Sequence, residues 1–327
     1  RLDLSAWTVS RAINGHAEVN PKTRERIRLA MEELGFRPNP LARGLRGSGT
    51  NLIGVSFIGM RSPIMTTKLF HLQERLREHK FRCVLEVMRD QATELRVLDD
   101  LLQMHVDGVV LCYSTLPSGE GPHVRAKVPH VHVDPMYPQP GPTVALDRRR
   151  AMEMLMKHLL DLGHRRFGLL GIGRDDAWRW PALLDIARAN GLDAEKAYVH
   201  CGPKTAPDKS LASGSEMAAL ALRHPQRPTA LVCVNDIVAI GAIHGVKTAG
   251  LSVPGDISVT GFDNIEVGHY LQPTLTTIEQ NSPLLMQTAV DLLLGQIRRK
   301  TRTPKATPTV SVEPLLVVGE STGPAKG

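Results

Sequence analysis

Four cysteines in 327 residues are too few and too scattered for a disulfide framework. Cys83, Cys112, Cys201 and Cys233 form no pair at zinc or redox spacing. Cys83, Cys112 and Cys233 sit in apolar runs that read as buried strands, so structural thiols of a reducing cytosol are expected. No apolar run approaches the roughly 18–20 residues of a membrane-spanning helix. The amino terminus also lacks a signal-peptide pattern, and the expectation is a cytoplasmic protein with no membrane partner. Catalytic signatures are missing as well. There is no Gly-x-Ser-x-Gly elbow and no Walker loop, and the glycines of Gly168-Leu169-Leu170-Gly171-Ile172-Gly173 fail the dinucleotide spacing and have no acidic ribose partner downstream. His130 and His132 alternate on one strand and can share a face, yet no third ligand is apparent. No enzyme, cofactor or metal site is expected.

What is present points to two or three domains, given the length. Hydrophobic content of 42% and charged content of 22% are ordinary for a globular chain. A net charge of +7 favours a polyanionic partner, although charge alone is weak evidence. The informative stretch is Leu4-Ser5-Ala6-Trp7-Thr8-Val9-Ser10-Arg11-Ala12-Ile13-Asn14-Gly15. Ser5 is placed to cap a short helix, Val9 and Ile13 share an apolar face, and Gly15 supplies a stop. The opposite face carries Ala6, Trp7, Ser10, Arg11 and Asn14, residues suited to a DNA groove. On pattern alone an ordinary amphipathic surface helix fits equally well.

The order of the following pieces separates these readings. Thr8 to Gly15 runs into Val19-Asn20-Pro21-Lys22-Thr23-Arg24-Glu25-Arg26-Ile27, then Ala30-Met31-Glu32-Glu33-Leu34-Gly35-Phe36-Arg37-Pro38-Asn39, then Leu41-Ala42-Arg43-Gly44-Leu45-Arg46. This closely resembles the DNA-binding headpiece of the LacI/GalR family of transcriptional regulators. The resemblance implies that Ala6, Trp7 and Arg11 read base edges, that Thr8, Ser10 and Asn14 contact phosphates beside the Ser5 cap, and that Leu45 is the minor-groove wedge of a hinge helix over Leu41 to Arg46. Trp7 has two readings, packing on a thymine methyl or against the neighbouring helix. Pro21 opens a helix that ends near Gly35. Only Arg1-Leu2-Asp3 precede the turn, where the family carries a first helix. The headpiece is therefore expected to be truncated, or to have lost autonomous DNA binding.

From Leu52 onward, apolar strands alternate with helices in two rounds, the pattern of parallel sheets wrapped by helices. Strands are expected at 51–57, 81–88, 106–111, 129–133, 167–170, 230–234 and 257–260, and helices at 67–79, 92–104, 149–162, 179–189 and 237–249. The resemblance extends through Leu162-Gly163-His164-Arg165-Arg166, Val234-Asn235-Asp236, Gly261-Phe262-Asp263-Asn264 and Pro273-Thr274-Leu275-Thr276-Thr277-Ile278. It implies a small all-α helix-turn-helix headpiece (first helix missing, residues 1–36), a hinge and linker (37–50), and a two-lobed α/β periplasmic-binding-protein-like sensor (51–327). The N-lobe would take 51–146 and 281–307, and the C-lobe 147–280 and 308–327. Crossings are expected near Leu146, Gln280 and Pro308, and a loose tail after Val318.

A cleft between such lobes needs polar groups that replace the water contacts a ligand loses. Mapped by resemblance, these are Asp263, Arg179, Asn235 and Gln280, with Asp134 a weaker candidate; for each, a structural cap or turn role is the alternative. Where relatives carry aromatic residues after the first strand, this chain has Gly59-Met60-Arg61-Ser62-Pro63-Ile64-Met65, so the aromatic stacking wall is expected to be missing. Lys209 stands where some sugar-binding members have tryptophan. Together with Arg61 and Arg179 it suggests a cationic cleft and an anionic effector such as a sugar acid or sugar phosphate. The expected protein is a homodimeric regulator, more in the manner of a repressor, of double-stranded operator DNA, controlled by a small sugar-like effector. The alternative is a cytoplasmic small-molecule sensor without autonomous DNA binding.

Overall fold

The computed structural model describes residues 2–13, 18–36, 49–59, 62–202, 209–299 and 309–326. Its first piece is a helix pair. Ser5 Oγ accepts the Thr8 amide at 3.1 Å and caps α1, Ala6–Ile13. Asn20 caps α2, Pro21–Glu33, by accepting the Lys22 amide at 2.9 Å, with proline in a first turn that has no use for its missing N–H. Val9, Ala12 and Ile13 close on Val19, Ile27 and Met31 in a small apolar cluster that also holds Leu2 and Leu4.

The first lobe is built from β1 (Leu52–Ile58), α3 (Pro63–Glu78), β2 (Arg82–Met88), α4 (Gln91–Gln103), β3 (Gly108–Cys112), α5 (Pro122–Arg125), β4 (His130–Val133) and β5 (Thr143–Leu146). The strands run parallel in the order β2-β1-β3-β4-β5. Val109, Val110, Leu111 and Cys112 have no solvent exposure. Strands covered on both faces read as continuous apolar runs for this reason.

Asp147 accepts the Arg150 amide and caps α6 (Arg148–Asp161), which enters the second lobe. There follow β6 (Phe167–Leu170), α7 (Arg179–Ala189), α8 (Ala194–Ala197), β7 (Tyr198–Cys201), α9 (Leu211–Arg223), β8 (Ala230–Cys233), α10 (Asp236–Thr248) and β9 (Ser258–Thr260). The second sheet is parallel, in the order β7-β6-β8-β9. α9 and α10 touch backbone to backbone: a Cβ on Gly241 would overlap the Leu211 carbonyl oxygen, and one on Gly214 that of Val238. After a 3₁₀ turn at Glu266–Tyr270 and β10 (Thr277–Glu279), α11 (Ser282–Arg299) packs on α3 and on β3, β4 and β5.

Two expectations are corrected here. β11 (Thr309–Val312) extends the first sheet beside β5, and β12 (Leu315–Val317) pairs antiparallel with β10. The third crossing therefore falls between Val312 and Leu315, not near Pro308, and residues 309–312 belong to the first lobe. The tail after Val318 is not loose. Ser321 is fully buried, its amide donates to Thr274 O at 2.9 Å and its hydroxyl to Val259 O at 2.6 Å. Ala325 N donates to Leu162 O at 2.9 Å, and Lys326 pairs with Asp256 at 2.8 Å. The glycine, proline and lysine content suggested a loose end, yet the backbone polar groups are satisfied and Gly319 lies where a Cβ would stand 2.6 Å from Thr274 O.

Candidate functional site

The outward face of α1 presents Ser5, Ala6 and Trp7 as exposed residues, with Thr8, Ser10 and Arg11 half-buried beside them. Trp7 is 65% exposed and lies outside the apolar cluster of the helix pair. The Arg11 guanidinium stacks 4.4 Å from the Trp7 ring centroid and is ion-paired with Glu18. Of the two readings for Trp7, packing against the neighbouring helix is thus not the one seen; the indole faces outward. Asn14 and Leu45 lie outside the described residues.

Between the lobes is a cleft of about 1140 Å³. Asp134, Arg179, Lys209, Asn235, Asp263 and Gln280, which sequence reasoning chose from distant parts of the chain, all line it. Arg61 lies outside the described residues. Asp134 ends β4 at φ +49° and is fully buried: Oδ1 accepts from Arg148 Nη1 at 2.7 Å and from the Leu146 amide at 2.9 Å, and Oδ2 from Lys68 Nζ at 3.1 Å. Burial alone would raise this carboxyl, but the Arg148 and Lys68 charges prevail and hold it well below the usual carboxylate range.

Lys68, on α3, has no solvent exposure. Its ammonium also donates to Tyr113 Oη at 2.5 Å and to Gln280 Oε1 at 2.7 Å, so all three protons are used. Burial opposes the charge on Lys68, and the adjacent Tyr113 and Asp134 more than restore it. Burial pushes the Tyr113 phenol up to about 12. Gln280 Nε2 donates in turn to Asp263 Oδ1. Asp263 sits at φ +122° after β9, and burial, reinforced by the charge of Asp236, pushes it up to about 7. Asp236, itself raised to about 6 by burial, is held by Thr277 Oγ1 at 2.6 Å and by the Ile265 amide at 2.8 Å. A continuous relay from Arg148 through Asp134, Lys68 and Gln280 to Asp263 thus joins the two lobes at the cleft floor.

The remaining candidates combine structural and cleft-facing roles. Asn235 Oδ1 accepts the Val238 amide at 2.9 Å and caps α10. Arg179 pairs with Asp176 at 3.0 Å, lies 5.0 Å over the Phe262 ring, and keeps a buried Nε without a partner. Asp176 Oδ1 also accepts the amides of Trp178 and Arg179.

The described residues of the segment after β1 bring Gly59, Ser62, Ile64 and Met65 to the cleft and no aromatic ring, as expected; Tyr113, Tyr137 and Trp178 line it instead, the last two 50% and 41% exposed, from loops after β3, after β4 and before α7. One sequence reading is corrected: the cleft is not dominated by cations, because Arg148, Arg174 and Arg179 face Asp134, Glu195 and Asp176 respectively. Lys209, with an amine lowered by burial and by nearby Arg179, is the lining cation for which no carboxylate ion pair forms among the described residues. Away from the cleft, His123 lies against His130 and His132, the third imidazole that the sequence did not reveal.

Comparison with known proteins agrees with this architecture. Residues 3–39 match the family model described as bacterial regulatory proteins, lacI family, and residues 156–322 match that of a periplasmic binding protein-like domain. The chain is 30% identical to the HTH-type transcriptional repressor PurR of Aliivibrio salmonicida, over 91% of this chain and 90% of the relative. It is 26% identical to catabolite control protein A of Priestia megaterium, over 91% and 90% of the two chains. The crystal structure of the lac repressor dimer bound to operator and the anti-inducer ONPF superposes with a TM-score of 0.85 at 26% identity, covering 98% of this chain and 96% of that one.

Proposed function

This chain belongs to the LacI family of bacterial transcriptional regulators, and on that premise we propose that it is an effector-responsive repressor that binds a pseudo-palindromic operator as a homodimer and takes a small sugar-like ligand in the interlobe cleft. In this reading Ser5, Ala6, Trp7, Thr8, Ser10, Arg11 and Asn14 form the major-groove face, and Leu45 supplies the minor-groove wedge. A bidentate Arg11–guanine contact would contribute about 1–3 kcal/mol of discrimination. The Arg11–Trp7 stack supports this assignment because it holds the guanidinium beside the outward face.

The observation that carries the ligand reading is the relay that ties Asp134 and Lys68 of one lobe to Asp263 of the other through Gln280. A polyol bonded to groups of both lobes biases the angle between them. It changes operator affinity only by its different affinity for the two lobe arrangements, about 1.4 kcal/mol for each factor of ten. Carboxylates accept hydroxyl protons, paired arginines donate to ring oxygens, and Trp178 and Tyr137 offer apolar faces. Lys209 and the unpartnered Arg179 Nε favour a second reading, in which the ligand is a sugar acid or sugar phosphate held by charge-assisted hydrogen bonds.

Thermal-shift titration with neutral sugars, sugar acids and sugar phosphates tests both. The main reading expects a neutral sugar to raise Tm and Asp263→Asn to remove most of the response; stabilisation by the acids and phosphates alone transfers support to the second. Silence from all three classes removes the sugar assignment. A stabilising sugar combined with no DNA binding by the full reading frame leaves a ligand sensor without autonomous DNA binding.

A further inference from the structure

The strand β4 alternates strictly. Val131 and Val133 enter the main apolar core, so His130 and His132 share the other face. Onto that face α5 brings His123, and the three rings meet edge to face with centroids 4.8, 5.4 and 6.0 Å apart. The side chains are buried, at 0%, 6% and 2% exposure for His123, His130 and His132. Both ring nitrogens of His123 and Nδ1 of His132 have no hydrogen-bond partner. Protein interiors rarely tolerate this, since each orphaned polar atom costs free energy that a partner would recover.

We propose that His123, His130 and His132 form a binding site for a divalent transition metal of the Zn²⁺ class, with water completing the coordination. The donor set selects such a cation over Mg²⁺ or Ca²⁺, which take oxygen ligands. His130 is oriented as a metal ligand usually is: its Nδ1 lies 3.0 Å from Val128 O and must donate there, which leaves the lone pair on Nε2. One ligating atom from each residue lies within 4.8 Å of the others. A tetrahedral ion at about 2.0–2.1 Å from each nitrogen requires separations near 3.4 Å, so closure needs ring movements of about an ångström. Two glycines leave room over the rings. A Cβ on Gly141 would stand 3.2 Å from His130 Nε2, and one on Gly121 would lie 2.8 Å from His123 Nδ1. Burial also lowers the basicity of all three imidazoles, His123 and His132 to about 3, so they stand neutral, the form that binds metal.

The site would tie α5 to β4, beside the connection from β4 to β5 that carries Gly141. That connection also carries Met136 and Tyr137 of the cleft wall, and Asp134 of the relay follows His132 by two residues. Occupancy therefore stiffens one wall of the ligand cleft from behind.

The test uses the untagged full chain, stripped with a chelator and titrated with Zn²⁺ by calorimetry and with Co²⁺ by visible absorption. One equivalent of Zn²⁺ per chain, a raised Tm, and the ligand-field bands of tetrahedral Co²⁺ are expected. His123→Gln should weaken Zn²⁺ binding at least tenfold, a lower bound taken from the roughly 10–100-fold loss seen when even an outer-shell partner of a metal ligand is removed, while His71→Gln leaves it unchanged. X-ray absorption of the unsubstituted Zn²⁺ form should count three imidazoles, a readout that does not depend on any variant folding. Absence of stoichiometric Zn²⁺ or Co²⁺ binding at pH 7.5 overturns the proposal, as does equal Zn²⁺ affinity of the His123→Gln chain. Either result would make the cluster a packed imidazole core.

Discussion

Replacing Asp263 with asparagine should stabilise the unliganded protein, and more so as the pH rises. The carboxyl is 6% exposed and is pushed up to about 7 by burial first and the Asp236 charge second, against an ordinary value of 3.8. Between those values the folded state holds a proton that the unfolded state has lost. Stability from this group therefore falls as pH rises from about 4 to about 7, and levels off above. At about 1.4 kcal/mol per pH unit, the loss is at most about 4 kcal/mol. Asparagine keeps an Oδ1 for Gln280 Nε2, never ionises, and is among the residues that best tolerate positive φ. Urea unfolding of both proteins at pH 5 to 8.5 isolates the effect, because histidines buried in neutral form, such as His158 and His164, push stability the opposite way in both and cancel in the difference. The difference should move in favour of Asp263→Asn by about 1–3 kcal/mol between pH 5 and pH 8. A difference that does not change with pH, or an asparagine variant less stable than the parent at pH 8, would refute the reasoning.

Lys68→Met should cost about 3–5 kcal/mol in urea unfolding, since it leaves Asp134 buried with one of its two cations removed; adding Asp134→Asn should recover part of the loss. Gly241→Ala should lower stability by about 1–3 kcal/mol through collision with the Leu211 backbone. Gly295→Ala, on α11 where an added Cβ meets nothing within 4 Å, should instead raise it by about 0.5–1 kcal/mol. Removing the residues after Val318 should lower Tm by several degrees, because the partners of Ser321 and Ala325 in β9, Thr274 and Leu162 lose their hydrogen bonds.

Much of this was legible in the sequence where local signals and burial agree. β6 at Phe167–Leu170 and α7 at Arg179–Ala189 fall where periodicity placed them. α3 begins at Pro63, four residues before the expected start, because the Ser62-Pro63 opening was outweighed by a weak apolar rhythm. α9 escaped notice: Gly214 interrupts its pattern, and its start rests on the reciprocal Ser210–Ser213 capping box, a weaker signature than one closed by Glu or Gln. β11 and β12 are short and take their places only through pairing with β5 and β10.

The cleft followed the same division. Of the six candidates that line it, Asp134, Asn235, Asp263 and Gln280 stand at strand ends, a helix start and a crossing that the sequence marks, whereas Arg179 and Lys209 were placed by the family resemblance alone. Lys68 was missed, yet it carried a signal, for it occupies the stripe Ile64, Lys68, Leu72, Leu76, where a lysine at four-residue spacing interrupts an otherwise apolar buried face. Trp178 and Tyr137 lie in irregular segments with no period to read. His123 comes to β4 on a single turn of helix, a placement that only the folded chain reveals.

The most direct test of the central claim is selection of bound duplexes from a random DNA pool by the full reading frame, with and without a cleft ligand found by thermal shift. The account predicts an enriched two-fold symmetric sequence whose affinity changes at least about tenfold when the ligand is added, corresponding to about 1.4 kcal/mol of coupling. No enriched sequence even at low salt, where backbone attraction is strongest, or an operator affinity indifferent to a ligand that occupies the cleft, would contradict it.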